Sequence, residues 1–219
     1  MRAAAWRSTC TAAINTESAA ALEGSWIAEQ LAGPGWVVCP EFLDTAAVRA
    51  LATESRAQWE EGQFRAARIG IGDSLQLRPE IRSDYVHWLD ENALSPAQQG
   101  YFAAIDALRR QLNQQLYLGL FGFEAHLAVY PPGASYRRHL DQFRGAAHRQ
   151  VSCILYLNTD WGPEDGGQLR LYPADQPAGV DVQPRAGTLA CFLSADIEHE
   201  VLPARRERFS LTGWLRTRA

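Results

Sequence analysis

The sequence contains no lysine: all 21 of its basic residues are arginine. That absence excludes Schiff-base and pyridoxal phosphate chemistry and the lysine-bearing phosphate loop, since each needs a primary amine. Cysteine is scarce as well. Cys10, Cys39, Cys153 and Cys191 lie too far apart for a C-x-x-C motif and form no secreted disulfide framework, so they read as reduced thiols. Long apolar runs are missing too. The Ala-rich start is broken by Arg, Thr, Asn and Glu before a signal-peptide core can form, and no later stretch approaches the roughly 20 apolar residues of a membrane span. Nor is there an excess of positive charge: the formal net charge is −4 and the five histidines are scattered, which argues against nucleic-acid and membrane partners. A cytoplasmic protein is expected. What is present, 47% hydrophobic and 21% charged residues in a chain of 219, is an ordinary globular composition with enough length for a sizeable core.

Two textures follow one another along the chain. Residues 1–22 show no clear period and are expected to be a flexible tail, with one domain over 23–219. From Trp26 to Arg56 the pattern predicts helix, short strand, helix: Gly33-Pro34-Gly35 punctuates, Trp36–Cys39 is strand-like, and Asp44 can cap a helix from Thr45. Residues 62–92 read as loop, and 96–118 as a long helix opened by Ser95-Pro96. From Phe123 the texture changes to short alternating runs at 123–130, 135–140, 150–157, 167–172, 180–183, 188–193, 199–202 and 207–216, separated by Pro, Gly and Asp. The expected class is α+β, with helical support over about 23–118 and a jelly roll, or double-stranded β-helix, over about 123–216.

Chemistry concentrates in the β region. His139-Leu140-Asp141 would project an imidazole and a carboxylate to one face of a strand. H-x-D alone is weak, but His199 in another strand segment completes a two-histidine, one-carboxylate set that leaves positions open on non-haem Fe(II). In the run Arg208–Leu215 the period of two places Arg208, Ser210, Thr212 and Trp214 on one face and Phe209, Leu211 and Leu215 on the other. A planar guanidinium beside Thr212 suits bidentate capture of a carboxylate.

With these residues in view, the sequence resembles the 2-oxoglutarate- and Fe(II)-dependent dioxygenases, and among them the prolyl 4-hydroxylase group that includes the hypoxia-factor prolyl hydroxylases and their bacterial relatives. The resemblance runs through YPPGASYRRHLD (130–141), VSCILYLNTDW (151–161), GGQLRLYP (166–173), HEVLP (199–203) and RFSLTGW (208–214), with a further island at IRSDYVHWL (81–89). It implies that His139, Asp141 and His199 ligate iron and that Arg208 grips the distal carboxylate of 2-oxoglutarate, assisted by Tyr156, Thr212 and Tyr130. It further implies that Leu169, Trp214, Ile154 and His126 wall the pocket, with Ala128 and Ser152 beside them by the period of two. Tyr136, Arg149, Arg82 and Asp84 are the implied substrate contacts.

The implied reaction consumes O2 and 2-oxoglutarate and releases succinate and CO2, with ascorbate as an implied reductant. The implied substrate is a prolyl residue in a flexible loop of a partner protein, covered by the segment around 65–89, where Gly70 and Gly72 offer backbone freedom. Two alternatives stay open: an oxygenase for a free small molecule, and an inactive jelly-roll binding module. The stretch 194–198 before His199 lacks the proline often found there in relatives. The sequence also runs only a few residues past the last core strand, without the C-terminal helix that some relatives use to hold substrate, so substrate grip is expected from elsewhere.

Overall fold

The computed structural model describes residues 16–70, 76–142 and 148–218. Three helices precede or interrupt the first strands: α1 (Thr16–Ala32), α2 (Thr45–Glu60) and α3 (Pro96–Leu116). Their starts follow from local chemistry. The Asp44 carboxylate accepts the Ala47 N–H at 2.8 Å, satisfying one of the donors that a helix N-terminus leaves orphaned. Ser95 and Gln98 form a capping box with Pro96 at the first helical position. At the far end of α3, Tyr117 adopts a left-handed conformation (φ 54°) and the chain turns away. Thr16–Leu22, expected in a flexible tail, belong to α1; residues 1–15 lie outside the described residues.

Among the described residues, eleven strands form two antiparallel sheets. Strands β1 (Trp36–Cys39), β2 (Arg65–Ala66), β3 (Tyr85–Trp88), β4 (Gly122–Tyr130), β6 (Arg149–Tyr156), β9 (Leu189–Leu193) and β11 (Arg208–Arg216) make the larger sheet, in the order β1-β9-β6-β11-β4-β3-β2. Strands β5 (Tyr136–His139), β7 (Leu169–Tyr172), β8 (Val180–Val182) and β10 (Glu198–Val201) make the smaller, in the order β5-β10-β7-β8. The eight strands β4 to β11, four in each sheet, are the double-stranded β-helix expected from 123–216. Residues 62–92 are not all loop, however: β2 and β3 extend the larger sheet beside β4. Neither carries the apolar alternation that marks a strand in sequence, since β3 is only partly buried and β2 is exposed.

Alternation in the central strands splits the interior into two cores. On β4, Phe123, Ala125, Leu127 and Val129 face one way; on β11, Phe209, Leu211 and Leu215 do the same, packing with Ile27, Leu51, Ile105 and Leu112 from the three helices. The opposite face of β4, with β6 and β9, looks across to the smaller sheet, where Ala128, Tyr130, Ile154 and Phe192 meet Leu169, Leu171 and Val201. Gly213 lets β11 pass close to β4, because a Cβ there would lie 2.4 Å from the Phe123 ring and 2.7 Å from the Glu124 carbonyl oxygen. The three described cysteines form no disulfide and are buried in the helical-side core. Among the described residues, no helix is long and apolar enough to cross a membrane.

Candidate active site

A cavity of about 650 Å³ opens between the two sheets and is bounded on one side by β2 and β3. Its floor is built by strand pairing. His199 on β10 lies directly opposite His139 on β5, and opposed residues of antiparallel strands send their side chains to the same face. The two imidazoles therefore stand side by side, with ring centroids 4.2 Å apart. Asp141 completes the group from just beyond the end of β5, not from the strand itself as its spacing suggested. One carboxylate oxygen lies 3.6 Å from His139 Nε2 and the other 3.6 Å from His199 Nε2.

The surroundings prepare all three groups to bind a cation. His139 Nδ1 lies 2.7 Å from the Arg137 carbonyl oxygen and His199 Nδ1 lies 3.3 Å from that of Ile197. The imidazole proton thus sits on Nδ1, and the Nε2 lone pairs converge on one point. Burial, with the neighbouring His139, pushes the His199 pKa down to about 4, so this ring is neutral near pH 7. Burial opposes ionisation of Asp141, but the adjacent imidazoles and the Ser152 hydroxyl hold its carboxyl well below the ordinary carboxylate range. Ser152 Oγ donates to Asp141 at 2.7 Å and lies 2.9 Å from Ser194 Oγ. Ser152 thus orients the Asp141 carboxylate instead of facing the cavity as its period suggested. The ligating atoms all fall within 4.8 Å of one another, and two imidazoles with one carboxylate leave half of an octahedral shell for groups from solution, the coordination that suits non-haem Fe(II).

Deeper in the cavity Arg208 is 1% exposed. Its Nε donates to the Gly167 carbonyl at 2.7 Å, and its guanidinium carbon lies 5.0 Å from the ring centres of both Tyr130 and Tyr156. Among the described residues no carboxylate pairs with it. Ser210, Thr212 and Trp214 line the cavity from the same face of β11, as the period of two predicted, and Tyr130, Leu169, Ile154 and His126 line it from other strands. Tyr156 does not line the cavity. It is fully buried against Arg208, its hydroxyl lacks a hydrogen-bond partner, and burial pushes its pKa up to about 12.

Toward the mouth, Tyr136 stacks on His139 with ring centroids 3.5 Å apart, and Arg82 lies over the Tyr136 ring at 4.5 Å. Asp84 does not reach the cavity: it is 1% exposed and both its oxygens accept from Arg82, at 2.8 and 2.5 Å, which fixes that guanidinium. Arg149 lines the cavity, pairs with Glu124 and covers the Trp214 ring. Trp88 stands 4.8 Å from the His126 ring and 6.0 Å from that of Trp214. Sequence reasoning missed Arg65, Arg68 and Leu77 as lining residues. Gly70 borders the cavity, and Gly72 lies outside the described residues.

A β-helix that holds such a cluster beside a buried, unpaired guanidinium defines the class of non-haem iron oxygenases that take a dicarboxylate co-substrate. Residues 125–216 match the family described as the 2OG-Fe(II) oxygenase superfamily. A prolyl-4-hydroxylase from Pseudomonas putida is 47% identical, with a TM-score of 0.81 over 90% of this chain and 100% of that one. A prolyl hydroxylase from Trichoplax adhaerens, solved with a peptide of the hypoxia-inducible factor oxygen degradation domain, is 26% identical, with a TM-score of 0.83 over 94% of this chain and 96% of that one. Human Egl nine homolog 1 is 31% identical over 82% of this chain and 43% of its own length. The hypoxia-inducible factor prolyl hydroxylase of Caenorhabditis elegans is also 31% identical, over 26% of its length. This chain thus spans less than half of those curated relatives. It belongs to the prolyl hydroxylase family of Fe(II)- and 2-oxoglutarate-dependent oxygenases, and Fe(II) and 2-oxoglutarate are the cofactor and co-substrate that go with that membership.

Proposed function

We propose that this chain hydroxylates a prolyl residue in a flexible loop of a partner protein. One atom of O2 goes to the prolyl C–H, the other to the succinate formed as 2-oxoglutarate loses CO2. The observation that carries the reading is the convergence, in one cavity, of three ligating groups and a buried guanidinium without a counter-ion. In this reading His139, Asp141 and His199 hold the metal, with Ser152 fixing the carboxylate. Arg208 grips the distal carboxylate of 2-oxoglutarate, with Thr212 and Tyr130 beside it and Tyr156 packed behind. When bound, iron and co-substrate supply the oxidising power to functionalise an unactivated C–H bond. The chain's own work is orientation and exclusion of water, through the apolar wall of Ile154, Leu169 and Trp214 and the lip of Tyr136 and Arg82. A cytoplasmic location and ascorbate as reductant belong to the same reading.

The test follows succinate release and mass gain by one oxygen on proline-containing peptides. Peptide hydroxylation coupled to succinate is expected, and His139→Ala combined with Asp141→Ala should abolish both turnover and iron content. Iron content unchanged in that double variant would remove the ligand assignment. Free proline turned over as well as any peptide would make the chain a small-molecule oxygenase, and no succinate under any condition would make it a binding module.

A further inference from the structure

The chain is acidic overall, with a formal net charge of −4, yet its cavity is not. Arg65, Arg68, Arg82, Arg149 and Arg208 line it against a single carboxylate, Asp141, which the reading above commits to the metal. Three of the five arginines are already engaged: Arg82 by Asp84, Arg149 by Glu124, and Arg208 by the co-substrate in the proposed function. The other two stand at the rim with no carboxylate paired to them among the described residues. Arg65 is exposed and, among the described residues, donates to the backbone carbonyls of Gly62 and Phe64, at 2.8 and 3.0 Å. Arg68 is exposed, and among the described residues no carboxylate pairs with it. A concave site lined with one sign of charge and walled by low-dielectric protein concentrates ligands of the opposite sign.

The backbone at this rim narrows the ligand further. Arg65 lies on β2, the terminal strand of the larger sheet, whose outer edge has no partner strand among the described residues. An open edge offers unpaired N–H and C=O groups to an extended peptide. Around the same opening Leu77 is 56% exposed, Trp88 51% and Leu140 36%, so the rim also provides apolar contact. An extended chain with carboxylates and a few apolar side chains fits that combination better than a compact metabolite.

We propose that the cavity mouth selects acidic peptides, with Arg65 and Arg68 reading carboxylates that flank the target proline. The proposal rests on the prolyl hydroxylase reading and names its substrate class. Single exposed ion pairs contribute little, so the selectivity is a property of the summed field and appears mainly at low ionic strength.

The test uses the full chain and synthetic peptides with one central proline, flanked in one peptide by Asp and Glu and in its twin by Asn and Gln. Turnover is read with Fe(II) and 2-oxoglutarate, and binding by fluorescence anisotropy with Mn(II) in place of iron. The acidic peptide should be favoured about tenfold in kcat/KM at low salt, and the preference should collapse as added salt shortens the screening length. Arg65→Gln with Arg68→Gln should treat the twins alike, and Arg65→Glu with Arg68→Glu should turn the preference toward a Lys-flanked peptide, with melting temperatures showing that both variants fold. Equal kcat/KM for the twins, a preference that survives in the double Gln variant, or tighter binding of a single-stranded oligonucleotide than of the acidic peptide would each overturn the proposal. Selective binding of the acidic peptide with no oxygen added to its proline would support it and overturn the prolyl reading instead.

Discussion

Arg208 is a charge the fold buries without neutralising. Removing a guanidinium from water costs several kcal/mol unless a partner compensates, and here the near neighbours are two tyrosine rings and the Gly167 carbonyl. The missing counter-charge is what a dicarboxylate brings, and the planar fork presents two parallel donors that an ammonium lacks. Arg208→Lys should therefore raise the apparent KM for 2-oxoglutarate at least about tenfold, equivalent to roughly 1.4 kcal/mol. An unchanged KM would refute the role. His126 poses the reverse problem. It is 4% exposed with an unpartnered Nδ1, and burial, reinforced by Arg82 and Arg149 and opposed by Asp141, pushes its pKa down from 6.5 to about 3. Between those two values the unfolded chain binds a proton that the folded chain refuses. Stability therefore holds above pH 6.5 and falls as the pH drops through that interval, by up to about 1.4 kcal/mol per pH unit. His126→Phe should flatten this part of the stability profile of the metal-free protein, measured as the urea midpoint at successive pH values; an unaltered slope would mean that the ring is not buried neutral.

At the scale of elements, β11 carries the site. Its polar face supplies Arg208 and Thr212, and its register against β4 and β6 sets Thr212 opposite His126 and Ile154. Gly213 holds that register, so Gly213→Ala, which forces a methyl into the Phe123 ring, should cost roughly 1–3 kcal/mol and weaken co-substrate binding together with thermal stability. A variant that loses neither would show that β4 yields freely. The strand was legible in sequence because its faces differ so sharply, Phe209, Leu211 and Leu215 against Arg208, Ser210 and Thr212. The helix caps at Asp44 and Ser95 were legible because capping is local chemistry. What escaped had no local signature. Arg65–Ala66 is too short to show a period, and the Ser152 contact to Asp141 joins residues 11 apart on different segments, which no local pattern links. The H-x-D motif pointed to residues that do meet in the fold, but for a reason that holds only in part, since Asp141 joins the two histidines from beyond the strand.

For the whole molecule, two cores divide the labour. The helical side, filled by Ile27, Leu51, Ile105 and Leu112, contributes no residue to the cavity, so its packing sets stability while the space between the sheets sets chemistry. Strands that give one face to each, β4 and β11 among them, join the two thermodynamically. Whatever occupies the cavity and contacts Arg208 binds the folded chain and not the unfolded one, so by mass action it must shift the unfolding equilibrium. At a concentration about 100 times its dissociation constant such a ligand adds roughly 2.7 kcal/mol, which in a chain of this size raises the melting temperature by about 5–10 °C. Anaerobic melts with Mn(II) and 2-oxoglutarate should show that rise, and Arg208→Lys should lose most of the part due to 2-oxoglutarate. A chain whose melting point ignores the co-substrate would be one whose arginine was buried for some other ligand. A thermometer thus becomes a binding assay for this protein, with no knowledge needed of the substrate it takes.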